Sequence, residues 1–259
     1  MSTRFRLVPC ALIAFGVSLN AQTPNDGLPP PELTEYWEPV PKVVEAPAGG
    51  VPSDAIVLFN GKDLAAWESE KTPGEAAPWK IEEGAAVVVP KAGGIKTRQG
   101  FGDVQLHLEW RAPAQIVGKS QGRGNSGVFF MGMYEVQVLD SYQNPTYVNG
   151  QAGSVYKQHP PLVNATRAPG EWQTYDIVFQ APRFDAAGKL LSPAFVTVFH
   201  NGVLVQNHAE LTGPTQWRGT SPFKAHPAKL PLSLQEHGNP VAFRNIWIRE
   251  LSLPEKNKQ

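Results

Sequence analysis

The sequence predicts an all-β protein built as a sandwich or a barrel. Apolar and polar residues alternate over 104–111, where Val, Leu, Leu and Trp are separated by Gln, His, Glu and Arg, and shorter runs of this kind recur from Ile56 onward. The chain has 25 Pro and 24 Gly among its 259 residues, a content that interrupts helices but suits turns and sheet edges. No stretch keeps a 3.6-residue period over three turns. Many short strands without a long amphipathic helix are typical of a sandwich or barrel.

Turn residues separate the predicted strands. Asn60-Gly61 follows the first run, Pro90 closes the second, and Asn201-Gly202 joins two β-like runs as a hairpin turn. No internal repeat is visible. The predicted strands are Ile56–Phe59, Ala85–Val89, Val104–Arg111, Val128–Met131, Tyr134–Leu139, Tyr175–Phe179, Phe195–Phe199, Leu232–Leu234 and Phe243–Ile248.

The first 21 residues have the three parts of a secretory signal peptide. Arg4 and Arg6 precede an apolar run from Leu7 to Leu19, and Ala21 offers a small-residue cleavage point. The run is shorter than the roughly 18 apolar residues that a membrane span needs, so no retained anchor is expected. We therefore predict a secreted protein, periplasmic or extracellular. Its Pro-rich leader covers 22–53, one β-sandwich domain covers 54–252, and a tail covers 253–259.

Composition excludes several classes of function. Cys10 is the single cysteine and lies in the predicted signal peptide, so neither disulfides nor a Cys-ligated metal are expected in the mature chain. The formal net charge is 0 and no Lys/Arg run is present, which argues against nucleic-acid binding. No His or acidic residues have the spacing of a transition-metal site, so we predict no metal and no cofactor. Calcium held by loop carbonyls stays open, because such ligands leave little trace in sequence. The sequence does not specify the oligomeric state.

The polar faces of three strands carry the functional signal. Glu135 and Gln137 share one face of their strand, opposite Tyr134, Val136 and Val138. Gln235 and His237 likewise share a face, and Arg244 points opposite to Phe243. Amide, carboxylate and imidazole groups together suit sugar hydroxyls, which need both donors and acceptors. The alternative is an ordinary solvated sheet face.

Two further features have open interpretations. The segment 123–127, Arg-Gly-Asn-Ser-Gly, reads as a turn entering a strand, although its backbone N–H groups and Asn125 could also reach a ligand. His107, Glu109 and Arg111 form a charged row that is either part of a site or an exposed ladder. The Gly-x-Ser-x-Gly signature of a serine hydrolase is missing.

Several motifs, in their order and spacing over roughly residues 54–252, resemble the 3-keto-disaccharide hydrolase family. They are Leu58–Leu64 followed by Trp67, Gly124–Val128, Tyr134–Asp140, Gly153–Tyr156, Glu171-Trp172, Asn201-Gly202, Leu234–Gly238 and Phe243–Ile246. The resemblance implies a concanavalin A-like jelly-roll β-sandwich of two antiparallel sheets, with a 3-keto-glycoside bound on the concave face. Met131 stands where many relatives would have an arginine, a departure that affects the expected substrate contacts.

The chemistry of a 3-keto-glycoside defines the groups to look for. A ketone at C3 makes the C2 proton acidic, so cleavage by elimination needs a base, an acid for the leaving oxygen and donors for the enolate, after which water can add to the product. We predict Glu135, Asp140 and His237 as the acid–base candidates. The substrate-binding candidates are Gln137, Gln235, Arg244, Glu109, Tyr156, Lys157 and Asn125.

Two other functions fit the same residues. Ordinary retaining hydrolysis uses two carboxylates about 5–5.5 Å apart, and Gln137 stands where the second acid would be wanted, although Glu109 from another strand could serve. A lectin-like module would use the same side chains for binding alone. Cleavage of a 3-keto-glycoside is the preferred hypothesis.

Overall fold

The structure is a computed structural model that describes residues 28–252. The predicted signal peptide and C-terminal tail therefore lie outside the described residues. The chain divides into two units, whose described parts are residues 28–43 and 44–252. The first contains a 3₁₀ turn, Pro31–Leu33, and exposes Tyr36 and Trp37. Within residues 28–252 no helix has the length and apolar character needed to span a bilayer.

The second unit consists of short strands joined by turns, with two further 3₁₀ turns at Ser120–Gly122 and Val148–Gly150. The strands are β1 (Ile56–Phe59), β2 (Trp67–Ser69), β3 (Lys80–Glu82), β4 (Ala85–Val87), β5 (Ile95–Phe101), β6 (Val104–Arg111), β7 (Ser126–Phe130), β8 (Tyr134–Val138), β9 (Gln173–Gln180), β10 (Arg183–Phe184), β11 (Leu190–Ser192), β12 (Phe195–His200), β13 (Val203–Glu210), β14 (Leu230–Leu234) and β15 (Ala242–Glu250).

Two antiparallel sheets form the body of the protein. An eight-stranded sheet has the order β13-β12-β9-β6-β15-β4-β3, with β1 paired to β15, and a five-stranded sheet has the order β2-β5-β14-β7-β8. Strands β10 and β11 form a separate hairpin. Neighbours in a sheet are often distant in sequence, because the chain crosses repeatedly between the sheets. The prediction of an all-β, concanavalin A-like jelly-roll sandwich is confirmed.

The core lies between the inner faces of these two sheets. On β6, Val104, Leu106, Leu108 and Trp110 are buried and their polar neighbours are half-buried, as the alternation predicts. Residues from both sheets join in one apolar cluster. Phe130 of one sheet stacks on Phe179 of the other, with ring centroids 4.6 Å apart. Burial of this apolar surface, much of it aromatic, is the main source of stability of the sandwich.

The alternation on β7, β8 and β14 decides which side chains face outward. Val128, Val136 and Leu234 belong to the core cluster. Their neighbours along each strand therefore project from the other side of the five-stranded sheet, because successive strand residues point to opposite faces. This outer face carries Glu135, Gln137 of β8 and Phe129 of β7, with Gln235 just beyond the end of β14.

Two turns show how local sequence fixes the hairpins. Asn201 and Gly202 join β12 to β13 with φ of 53° and 79°, the double positive-φ geometry for which Asn-Gly is favoured, so the predicted hairpin is confirmed. Met131 and Gly132 begin the turn between β7 and β8, with φ of 56° and 67°. Met131 is 4% exposed and belongs to the core cluster, so it does not occupy a substrate-facing position.

Candidate functional site

A polar cleft of about 210 Å³ opens on the outer face of the five-stranded sheet. Strands β7 and β8 supply its floor, the segment after β14 supplies one wall, and the loop after β13 supplies another. Of the described residues that line it, one is an acid, one is a histidine, and none is Lys or Arg. The lining residues are Asn125, Phe129, Glu135, Gln137, Tyr156, Thr215, Trp217, Gln235 and His237.

Glu135 is the central ionisable group of this cleft. It is 5% exposed and has no cationic partner among residues 28–252, and burial raises the pKa of its carboxyl to about 8. Its backbone is fixed on both sides, because its N–H donates to Thr215 Oγ1 at 3.0 Å and its carbonyl accepts from Tyr156 N at 3.2 Å. The raised pKa favours the protonated carboxyl at neutral pH, and the backbone that carries it is held in place.

Gly127 makes room for this carboxyl. It pairs with Gln137 across β7 and β8, and a Cβ at position 127 would lie 2.5 Å from Glu135 Oε1. Such a contact is shorter than carbon and oxygen tolerate, so any larger residue would displace the carboxyl or the strand. The second glycine of the Gly-Asn-Ser-Gly segment is thus explained by the site itself.

The amide of Gln137 orients the Glu135 side chain. One end of the Gln137 amide lies 2.9 Å from Glu135 Oε1 and from the Ser126 carbonyl, so a nitrogen there donates to both. In the opposite orientation Nε2 donates to Gln121 Oε1 at 3.0 Å, and the amide oxygen can accept from the protonated Glu135 carboxyl. Gln137 is 1% exposed, so this contact is shielded from water. Nearby, Asn125 Nδ2 donates to the Gln121 carbonyl at 2.6 Å, which holds Asn125 at the edge of the cleft.

The segment after β14 brings two more predicted residues to the cleft. Ser126 Oγ donates to the Gln235 carbonyl at 2.6 Å, and Gln235 N donates to the Gly127 carbonyl at 3.0 Å, so this segment is anchored beside β7. The Gln235 and His237 side chains make no hydrogen bond within the described residues. Both are therefore available to a ligand, with His237 exposed at the rim.

Tyr156 adds a hydroxyl to the cleft. Its phenol lies 2.6 Å from the Tyr147 hydroxyl, and burial, together with this contact, raises the pKa of Tyr147. The Lys157 ammonium lies 3.7 Å from the centre of the Tyr147 ring, a cation–π distance. Lys157 itself faces a neighbouring pocket of about 230 Å³ and does not line the cleft.

The structure places Asp140 outside the cleft. Its Oδ2 accepts from Arg123 Nε at 2.6 Å, its Oδ1 accepts from Tyr142 N at 3.1 Å, and it is 2% exposed. It contacts a separate small cavity of about 130 Å³. Because Asp140 is enclosed with a permanent cation, its position suits a structural ion pair better than the predicted acid–base role.

Glu109 and Arg244 lie on the other side of the sandwich. They face one another on β6 and β15 of the eight-stranded sheet, where Arg244 Nε donates to Glu109 Oε2 at 2.7 Å. The Arg244 guanidinium also lies 4.0 Å from the centre of the Trp172 ring. Both side chains point away from the core, so the sandwich separates them from Glu135, and their predicted contact with substrate is not supported. This position favours the interpretation of the charged row on β6 as an exposed ladder over its interpretation as part of the site.

A larger cleft, of about 410 Å³, lies near the C-terminal end of β15. Its ionic groups are already paired, since Arg183 Nη2 donates to Asp103 Oδ2 and Lys229 Nζ donates to both Glu250 carboxylate oxygens at 2.8 and 2.9 Å. We place the functional site in the smaller cleft, because it contains one buried acid without an ion-pair partner and two polar side chains, Gln235 and His237, without a hydrogen bond among the described residues.

Comparison with protein families identifies the chain. The model of the 3-keto-alpha-glucoside-1,2-lyase-like domain matches residues 54–249. The chain belongs to this family. The predicted resemblance is therefore confirmed, and it supports a carbohydrate-active enzyme.

Solved structures agree with this assignment to the lyase-like family. A protein from Parabacteroides distasonis ATCC 8503, provisionally described as a glycosyl hydrolase, is 54% identical, with a TM-score of 0.80 over 86% of this chain and 97% of its own. A second protein of that organism with the same description is 21% identical, with a TM-score of 0.55 over 77% and 94%, and supports the fold alone. No curated protein matches the chain.

Four residues at or beside this cleft were not found from the sequence. Phe129 lies on the cleft floor, Thr215 and Trp217 come from the loop after β13, and Tyr147 supports Tyr156. Phe129 was assigned to a strand but not to its polar face, although it lies directly across from Glu135. The loop residues show no periodic pattern, so the one sequence feature that could have indicated them is a tryptophan within an otherwise polar segment.

The described residues contain no group of three or more His, Cys, Asp or Glu side chains arranged to hold a metal ion. This observation tests neither the prediction that no cofactor is needed nor the open question of calcium.

Proposed function

We propose that this protein cleaves 3-keto-glycosides by 1,2-elimination, in the cleft centred on Glu135. The observation that carries the proposal is the pairing of one buried, uncompensated acid with one exposed histidine in a cleft otherwise lined by amide, hydroxyl and aromatic groups. Family membership supports the same chemistry. Elimination needs one acid, one base and hydrogen-bond donors, which is the set that this cleft offers.

The content of the cleft argues against the two alternatives. Retaining hydrolysis needs a second carboxylate about 5–5.5 Å from the first, and Glu135 is the one acid among the described residues that line the cleft. Glu109, the other candidate for the second acid, lies on the outer face of the eight-stranded sheet, on the far side of the sandwich from the cleft. A lectin does not need such a buried acid. Holding Glu135 protonated in the folded chain lowers the free energy of unfolding near neutral pH, and a module that only binds sugar gains nothing in return.

In the proposed reaction, a base removes the C2 proton and the electron pair moves onto the C3 oxygen. The resulting enolate then re-forms the C3 carbonyl, a C1=C2 double bond forms, and the bond from C1 to the leaving oxygen breaks. That oxygen takes a proton from an acid. The products are an unsaturated 3-keto sugar and a free alcohol; addition of water to the former would complete a net hydrolysis.

We assign the acid role to Glu135 and the base role to His237. Glu135 is protonated at neutral pH because burial raises its pKa to about 8, so it has a proton to donate to the leaving oxygen. His237 lies in the same cleft with no partner within the described residues, and His is the side chain that most often serves as a general base. Asp140 has no part in this step because Arg123 holds it elsewhere.

Amide groups would stabilise the enolate. Asn125 and Gln235 line the same cleft as His237, and their N–H groups can donate to the C3 oxygen as negative charge develops on it. The Gln137 amide is already used to hold Glu135. Tyr156 supplies a hydroxyl that can bind a ring hydroxyl of the sugar.

The acid assignment predicts a fall in activity at alkaline pH. As the pH rises through about 8, Glu135 loses its proton and the fraction of enzyme able to protonate the leaving oxygen decreases. We expect kcat/KM for a 3-keto-glucoside with a sugar leaving group to fall tenfold for each further pH unit. A profile of kcat/KM from neutral to alkaline pH measures this, and a rise through the same range would instead make Glu135 the base.

A product assay tests the function itself. The protein is incubated separately with a 3-keto-glucoside and with its unoxidised parent, and the released alcohol is quantified while the ultraviolet absorbance of the conjugated enone is followed. We expect release from the 3-keto substrate alone, with a primary isotope effect when C2 carries deuterium. Release from the parent glycoside would show ordinary hydrolysis, and binding of both without release would leave a lectin.

A further inference from the structure

We infer that Trp217 forms the leaving-group subsite of this enzyme, where it stacks against the ring of a sugar or aryl leaving group. This inference rests on the proposed function and deepens it, because it states what kind of alcohol the enzyme is built to release. A substrate with a small alkyl leaving group would not use the subsite.

The exposure of Trp217 is the first observation. Its side chain lines the cleft and is nevertheless 69% exposed, in a protein whose other described cleft aromatics, Phe129 and Tyr156, are half-buried. The Arg218 guanidinium carbon lies 4.1 Å from the centre of the indole, so one face of the ring is covered by a cation. The exposed remainder of the indole is accessible to a ligand. Large exposed aromatic surface beside a polar cleft is typical of a binding position.

The loop that carries Trp217 is fastened at its base. A Cβ on Gly213 would lie 1.9 Å from the Ser221 carbonyl oxygen, so the two ends of the loop are in close contact. Gln158 Nε2 donates to the Gly213 carbonyl at 3.0 Å, and Gln158 Oε1 accepts from Thr212 N at 2.8 Å. Compact loops closed in this way present their tip residues in a defined place, and many are functional.

The same loop is tied directly to the catalytic acid. Thr215 N donates to the Met133 carbonyl at 2.8 Å, and Thr215 Oγ1 accepts the backbone N–H of Glu135 at 3.0 Å. Trp217 follows two residues later. The backbone of the loop is therefore fixed to the strand that carries the acid, and the indole lines the same cleft as the carboxyl that would protonate the leaving oxygen.

The size of the cleft indicates which part of the substrate meets Trp217. Its volume of about 210 Å³ is below the roughly 300–1,000 Å³ of pockets that enclose drug-sized ligands, so it takes one sugar ring. The 3-keto ring must occupy the deep part, since its C1 and C2 react beside Glu135. The leaving group then lies at the mouth, where Trp217 is exposed. Both a pyranose, through its C–H face, and an aryl ring can stack there.

A leaving-group series tests the inference. Three 3-keto-glucosides share the reacting ring and differ in the alcohol released: methanol, phenol and glucose. We expect Trp217→Ala to lower kcat/KM by about five- to thirtyfold for the phenyl or the glucosyl substrate, or for both, and by less than about twofold for the methyl substrate. Trp217→Phe keeps a stacking ring and is expected to recover most of the loss. Which of the two large substrates responds identifies an aryl or a sugar leaving group.

Gln216→Ala is the matched control, because Gln216 adjoins Trp217 but faces the neighbouring pocket instead of the cleft. It is expected to leave all three substrates unaffected. Equal losses for all three substrates in Trp217→Ala would place the indole on the reacting ring or in the loop's own packing, and no loss would make it a bystander. Either result overturns the inference while the wild-type enzyme still cleaves. Failure of the wild type on all three substrates would instead overturn the proposed function, and this inference with it.

Discussion

Glu135→Gln is expected to abolish most activity on a 3-keto-disaccharide while sparing a substrate with a good leaving group. A sugar alkoxide leaves slowly without a proton, so loss of the acid should lower kcat/KM by about 10²–10⁴-fold. A nitrophenolate leaves without protonation, so the nitrophenyl 3-keto-glucoside should lose less than about tenfold. Steady-state kinetics on the two substrates measure the difference. The glutamine has nearly the shape of the protonated acid, so the fold should be preserved.

Glu109→Gln is the control for this experiment, because it makes the same chemical change on the opposite sheet, in the ion pair with Arg244. It is expected to keep wild-type kinetics on both substrates. If Glu135→Gln instead lost equally on both, the carboxylate would be acting at C2, before the leaving group matters, and the roles of Glu135 and His237 would be exchanged.

Asp140→Ala is expected to damage stability rather than catalysis. It leaves the Arg123 guanidinium buried without its partner, and breaking a buried pair costs about 3–5 kcal/mol, or a fall in Tm of roughly 6–20 °C for a domain of this size. Thermal unfolding followed by circular dichroism measures the fall. Well below that temperature, kcat/KM should change by less than about tenfold, against 10² or more for a lost acid–base group.

The exposed ion pair between Lys80 and Glu82 provides the comparison. Its atoms are 3.9 Å apart and both side chains are more than half exposed, so Glu82→Ala should cost about 1 kcal/mol or less. A catalytic defect in Asp140→Ala as large as that of Glu135→Gln, with Tm unchanged, would restore Asp140 to the acid–base candidates.

The sequence was sufficient for the fold where strands alternate cleanly. β6 and β8 read correctly because core residues on them are apolar and their neighbours are polar. β5 was missed because its inner face includes Thr97 and its run is interrupted by Gly100, so the period of two is obscured. β2 and β3 were missed because each has three residues and neither belongs to a longer apolar run, whereas the three residues of β4 begin the apolar run 85–89.

The sequence could predict the site only to the extent that alternation shows which side chains share one face of a strand. Glu135 and Gln137 share a face whatever the fold, and the structure indeed brings them to the cleft with Gln235 and His237. Alternation along a strand does not say which sheet the strand joins. Glu109 and Arg244 therefore looked equivalent to Glu135 until the strand order put β6 and β15 in the eight-stranded sheet. Asp140 lies outside the cleft for a reason that strand alternation does not show, because it pairs with Arg123, 17 residues away in sequence.

The buried proton of Glu135 also links folding to pH. The carboxyl has an unfolded value of 4.5 and a folded value of about 8, so near neutral pH the native chain holds a proton that the unfolded chain gives up. Its contribution to stability is complete below 4.5 and is lost as the pH rises to about 8. Unfolding at neutral pH should therefore release close to one proton from this site, so the calorimetric enthalpy should vary with the ionisation enthalpy of the buffer. Glu135→Gln should abolish that part of the variation.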